Sequence, residues 1–106
     1  MTWAELHAES ERLAIEAQLT LRERDFGKAL NLYKQAADVE RRALDQLDKS
    51  KTRTRGITAV SAVALWFKAG EYALAEQLAY SVLADIDIPD FAREELRISF
   101  KGSFCF

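Results

Sequence analysis

The sequence predicts an all-α protein of antiparallel helical hairpins, about five helices in 106 residues. Three observations predict it. The chain has one proline and four glycines among many Ala, Leu, Glu, Gln, Lys and Arg, the residues that cost least in a helix. Its apolar residues recur three and four positions apart, the period of an amphipathic helix. And KAGEYALAEQLAYSVLA, residues 68–84, breaks a helical pattern at a single glycine, the usual way to end one helix and begin its antiparallel neighbour.

Composition fits one soluble domain with a modest core: 49% hydrophobic and 30% charged residues. The net charge of −2 gives no global reason to expect nucleic acid or an anionic membrane. Residues 1–55 carry 11 basic and 10 acidic side chains, and residues 56–106 carry 4 and 7. That asymmetry is too small to name a partner. Cys105 stands alone, so no internal disulfide forms. The polar start MTWAELHAESER lacks the apolar core of a signal peptide. The longest nearly apolar run, Ala59–Phe67, is far short of a membrane span. The expectation is a cytoplasmic protein.

Helix one is expected from Thr2 to near Arg24. Thr2 and Glu5 have capping-box spacing, and Trp3, Leu6, Leu13, Ala17 and Leu21 follow at helical intervals. Asp25 caps helix two. That helix carries Phe26, Ala29, Leu30, Tyr33, Ala36, Ala37, Ala43 and Leu44 on a broad apolar face and runs to about Asp48, completing a hairpin over about 2–48. KSKTRTRG, residues 49–56, has no large apolar residue and reads as a basic linker. Helix three runs from roughly Arg55, or a turn earlier, to Ala69. It is apolar nearly all round, which predicts the most buried helix or an interface.

Gly70 stops helix three. Helix four starts at Glu71 or Tyr72 and turns Tyr72, Ala75, Leu78, Ala79, Val82 and Leu83 inward, giving a second hairpin over about 57–85. Pro89 opens a last helix to about Phe100, with Gly102 as its stop.

One pattern occurs twice. RERDFGKALNLYKQAA (22–37) and FKAGEYALAEQLAYSV (67–82) align Asp25 with Glu71, Phe26 with Tyr72 and Ala29 with Ala75. This resembles the tetratricopeptide repeat, a 34-residue helical hairpin. On that motif Gly70 and Tyr72 fall at the turn, Ala75 on the close-packing alanine and Pro89 near the terminal proline. The copies lie 46 residues apart rather than 34, Arg24 stands where the family prefers glycine, and Ala79 and Val82 replace the usual aromatic and alanine. The chain looks like a divergent array, similar to small bacterial proteins of this type. The resemblance implies a fragment of a right-handed α–α superhelix. A second resemblance, carried by DFGKALNLY in an extended hairpin plus a third helix, is to the microtubule-interacting-and-transport three-helix domain, which binds amphipathic peptide helices. Helices four and five are surplus to that domain.

In tetratricopeptide proteins the first helix of each hairpin lines a concave groove. The resemblance therefore implies a binding face of Gln18, Leu21 and Arg22, with Glu11 and Ala14 beside them, from helix one. Helix three gives Ile57, Val60, Ala64, Phe67 and Lys68, and helix five gives Phe91, Glu94 and Ile98. An open groove would hold a peptide or helix. Alternatively, helix one packs over helix three and closes it. Glu11 and Ala14 occupy two positions of the family's carboxylate clamp, which argues against chaperone-tail binding.

Lys49, Lys51, Arg53 and Arg55 are candidate phosphate contacts of a nucleic-acid accessory protein; a solvated loop is the simpler reading. His7 and Glu11 offer two ligands on one helix face, too few for zinc. No base or orienter can be nominated for Cys105, and no glycine-rich phosphate loop exists. The expectation is a protein–protein interaction module with no enzyme activity, cofactor or metal. Phe100, Phe104 and Phe106 are expected to cap the last groove or a neighbouring chain's, making a homodimer a second expectation.

Overall fold

In the computed structural model, which describes residues 1–85 and 87–104 and side chains to residue 98, the chain folds as five helices. They are α1 (Trp3–Arg22), α2 (Phe26–Asp45), α3 (Thr52–Lys68), α4 (Tyr72–Leu83) and α5 (Asp90–Phe104). No strand occurs among the described residues, and no helix there is long and apolar enough to cross a membrane. The expectation for the aromatic tail lies outside the described side chains.

Local chemistry sets most helix ends. Thr2 and Glu5 make the capping box: the Thr2 side chain accepts from the Glu5 amide at 3.2 Å, and the Glu5 carboxylate accepts from the Thr2 amide at 3.3 Å. The Thr2 hydrogen bonds hold the Glu5 carboxyl below the usual carboxylate range. Asp25 caps α2 by accepting from the Lys28 amide at 3.3 Å.

The two turns are the same structure 46 residues apart. The Gly70 amide donates to Phe67 O at 3.0 Å and the Glu71 amide to Trp66 O at 3.0 Å; the Arg24 amide donates to Leu21 O at 2.9 Å and the Asp25 amide to Thr20 O at 3.2 Å. Both are left-handed caps, with φ +77° at Gly70 and +64° at Arg24. The second requires an arginine in a conformation that favours glycine, so α1 ends at Arg22 rather than Arg24.

Two other helix ends differ from expectation. Helix α2 ends at Asp45, and Asp48 instead accepts from the Ser50 amide at 3.0 Å in the connecting turn. That turn bond holds the Asp48 carboxyl below its ordinary range. Helix α3 begins at Thr52, the earlier of its two expected starts, so Arg53, Arg55 and Gly56 are helical and the linker is shorter than residues 49–56. Helix α5 continues past Gly102 to Phe104. Pro89 sits just before α5, where its carbonyl accepts from the Ala92 and Arg93 amides, both at 3.1 Å.

Cross-helix pairs fix the packing. Ser10 donates to Ala36 O at 3.0 Å across the α1–α2 hairpin. Lys68 Nζ lies 5.9 Å from the Tyr33 ring centroid, and Arg55 donates to Leu47 O at 3.5 Å, so α3 runs antiparallel to α2. A Cβ on Gly56 would lie 3.1 Å from both Ala92 Cβ and Pro89 Cδ. The glycine read as a linker end is instead buried, and its missing side chain lets α5 approach α3. The core joins Leu13, Leu32, Tyr33, Val63, Trp66, Leu78 and Leu96 with buried alanines on every helix. Small residues at the crossings allow close helix approach, and the molecule measures 41 × 36 × 18 Å, two helices deep in its shortest dimension.

Candidate interaction surface

Most residues of the face implied by the repeat are exposed, and the rest are half-buried. Gln18, Leu21, Arg22, Ile57, Lys68, Phe91, Glu94 and Ile98 are exposed, and Val60, Ala64 and Phe67 are half-buried. Ile57, Val60, Ala64 and Phe67 recur three or four residues apart, so they form one stripe along α3. The opposite side of α3 (Ala59, Ala62, Val63, Trp66) is buried. Helix α1 packs on α2 and does not close over this stripe, which stays partly exposed. Phe67 also touches Tyr72, with ring centroids 6.0 Å apart.

The three groups are not brought into one compact site. Trp3 Nε1 donates to Thr58 Oγ1 at 3.0 Å, which places the start of α1 beside the first half of α3. Tyr33 meets Lys68 where α3 ends. Gln18, Leu21 and Arg22 consequently lie beyond the C-terminal end of α3, whereas Phe91 lies at its N-terminal end, under the Arg53 guanidinium at 5.6 Å. The repeat register pairs Gln18 with Ala64, and the long first hairpin shifts that pairing by more than two turns.

The basic residues are dispersed. Lys49 and Lys51 are exposed at the turn. Arg55 is half-buried, donates to Leu47 O and faces Asp85 Oδ2 at 3.6 Å. With Arg53 over Phe91, two of the four cations have intramolecular partners.

Sequence reasoning missed a polar cluster between α1, α2 and α3. Glu40 is 1% exposed. His7 Nδ1 lies 3.0 and 3.1 Å from its two carboxylate oxygens, and His7 Nε2 lies 3.1 Å from Glu11 Oε1. The imidazole stacks on Trp3 at 4.9 Å and 7°. Thr58, which accepts from Trp3, donates onward to Thr54 O at 2.7 Å. One signal was available: Glu40 falls on the same helical line as Tyr33, Ala36, Ala37 and Leu44, where a charge needs a buried partner. Its partner is 33 residues away, so spacing alone does not identify it. Among the described residues no buried side-chain polar atom lacks a partner, so this cluster is internally satisfied.

Two adjoining cavities of about 210 and 220 Å³ lie between α2, α3 and α4, sharing Arg41, Leu78 and Ser81. Each is smaller than a typical small-molecule pocket of about 300 Å³ or more. Arg41 pairs with Asp45 and Arg55 with Asp85 along the walls. Among the described residues no group of three or more His, Cys, Asp or Glu is placed to hold a metal ion. The molecule's distinctive chemistry is thus uncovered apolar surface: Leu21, Ile57, Phe91 and Ile98 on the implied face, and Ile15, Leu19, Phe26, Leu30 and Tyr72 around the first hairpin's tip and the start of α4. Tyr72 was expected to turn inward and Phe26 to lie on the broad apolar face of α2; both are exposed. No family model, curated protein or solved structure matches this chain.

Proposed function

We propose that this protein is a non-enzymatic interaction module, a divergent tetratricopeptide-like pair of hairpins plus a final helix. It holds a peptide or helix of a partner protein on its α3–α5 face, in the cytoplasm. The observation that carries the reading is the partly open stripe Ile57–Val60–Ala64–Phe67, in which Ile57 is exposed and the other three are half-buried, with exposed Phe91 and Ile98 on α5. Extended uncovered apolar surface favours a partner over water, and an i, i+3, i+7, i+10 row is the form in which one helix receives another. The duplicated left-handed turn supports the repeat reading. Nucleic-acid binding has less support, because Arg53 and Arg55 are engaged within the fold.

A photo-crosslinking residue at position 57, with the same residue at exposed position 80 as control, tests this in native-host lysate with and without nuclease. A protein captured at 57 but not at 80, unaffected by nuclease and lost when Ala64→Glu is added, is the expected result. Equal capture at both positions, or capture that disappears with nuclease, refutes the reading.

A further inference from the structure

The α3-facing line of α2 is Phe26, Leu30, Tyr33, Ala37 and Leu44, each three, four or seven residues from the next. Its lower part is covered: Tyr33 is 6% and Ala37 0% exposed. Its upper part is bare, with Phe26 57% and Leu30 47% exposed. The cause is length. Helix α3 ends at Lys68 beside Tyr33, and Lys34 pairs with Glu71 at 3.6 Å where α4 begins. The last two turns of the first hairpin therefore project past the second. Leu21 continues the corresponding line of α1 (Trp3, His7, Ala14) and is exposed as well. The outcome is an apolar notch of Leu21, Phe26 and Leu30.

At the other edge of the molecule α5 buries only Ala92 and Leu96 of its described side chains. Phe91, Glu94, Glu95 and Ile98 are exposed at i, i+3, i+4 and i+7, one face of a helix. The two surfaces have opposite charge. Around the notch, residues 21–34 and 67–72 hold five bases and three acids. Arg22 and Arg24 are exposed, and neither forms an ion pair among the described residues. Residues 85–98 hold five acids and two bases; Arg53 of α3 adds a base over Phe91 at 5.6 Å, Asp85 faces Arg55 at 3.6 Å, and Arg93 is occupied by Leu83 O at 2.9 Å and Asp85 O at 3.1 Å, so the remaining acids Asp87, Asp90, Glu94 and Glu95 outnumber the bases Arg53 and Arg97.

We propose that the notch at the tip of the first hairpin receives the exposed face of α5 from a second copy of this chain. Phe91 and Ile98 cover Phe26 and Leu30, and Glu94 and Glu95 approach Arg22 and Arg24. Charge selects this pairing. Notch against notch sets base against base, α5 against α5 sets acid against acid, and only notch against α5 is complementary. The contact joins two different surfaces, so it leaves one of each free and extends head to tail. Phe26 and Leu30 lie outside the face assigned to a foreign helix, whereas Phe91 and Ile98 border it, so a foreign helix and a second copy compete for α5. A chain that never self-associates leaves the position-57 crosslink untouched, and the two ideas fail separately.

Sedimentation velocity of the full chain, run over a concentration series in low and in about 0.5 M salt, tests it. The expected result is species larger than dimer that grow with concentration and shrink with salt. Phe26→Glu and Phe91→Lys should each weaken association at least about tenfold. Mixed, they should give a one-to-one pair and nothing larger, because each brings the face the other lacks. Circular dichroism checks folding, and Leu30→Glu with Ile98→Lys repeats the test at neighbouring positions. A chain that is monomeric up to roughly 1 mM, a closed dimer insensitive to both substitutions, or variants that do not pair when mixed would each overturn the proposal.

Discussion

His7→Phe is the most informative single substitution for stability. Glu40 is buried at 1% exposure, and among the described residues His7 is its one side-chain partner, with Nδ1 at 3.0 and 3.1 Å from the two oxygens. A phenyl ring keeps the stack on Trp3 and removes only the donor. Leaving a buried polar group without its hydrogen-bond partner typically costs about 1–3 kcal/mol, and more where the group is charged. The expected loss is therefore about 3 kcal/mol, a large share of a typical 5–15 kcal/mol total. The contact to Glu11 adds little, because Glu11 is exposed. Replacing both partners with apolar groups, His7→Phe with Glu40→Leu, removes the stranded carboxyl group and should recover about 2 kcal/mol or more. Urea unfolding followed by far-ultraviolet circular dichroism measures all three proteins. A loss under about 1 kcal/mol for His7→Phe, or a double variant no more stable than the single one, would refute the account.

Three further outcomes are expected. Gly70→Ala should cost about 1 kcal/mol and Arg24→Gly should gain a few tenths or more, since both positions are left-handed and only one has the residue that conformation favours; opposite signs in thermal melts are the check. Gly56→Val should cost about 1–3 kcal/mol and shift α5 resonances in a heteronuclear spectrum, because a Cβ already meets Ala92 and Pro89 at 3.1 Å. The Glu5 carboxyl titrates below its ordinary value, chiefly through its hydrogen bonds to Thr2. Its contribution is therefore present above the unfolded-state pKa and lost as pH falls through the folded one. Thr2→Ala should move the Glu5 titration up toward the ordinary carboxylate value in a carboxyl-detected NMR experiment.

What was legible in the sequence was local. The Thr2–Glu5 box, the Asp25 cap and the Gly70 stop each depend on residues within one turn, and each stands in the structure as read. Arg24 was harder, because the cap geometry that names a glycine at Gly70 is imposed on an arginine by the same pair of hydrogen bonds. Gly56 was misread for the opposite reason. The run KSKTRTRG has a linker's composition, and only the tertiary position of Ala92 and Pro89 shows why a side chain is missing there. Apolar periodicity correctly gave the lines of α2 and α4 but not which parts of them are covered. Periodicity reports what faces a neighbour if the neighbour is long enough.

Unequal helix length is what connects these surfaces. Helices α1 and α2 have 20 residues each, against 17 and 12 for α3 and α4. At about 1.5 Å per residue, α2 exceeds α4 by about 12 Å, more than two turns. An array of equal hairpins would cover each helix line from end to end and expose apolar residues only on its terminal helix. Here the mismatch falls in the first hairpin, so Phe26 and Leu30 are bare for the same geometric reason that Tyr33 and Ala37 are buried. Shortening the first hairpin by one full turn in each helix, deleting residues 19–21 and 27–30, removes Leu21 and Leu30 while sparing the Gly70 turn and the Ile57–Phe67 stripe. Such a chain should keep its helical circular dichroism and its position-57 crosslink yet lose head-to-tail association. If it still assembles, the overhang is incidental and the exposed face of α5 has some other partner.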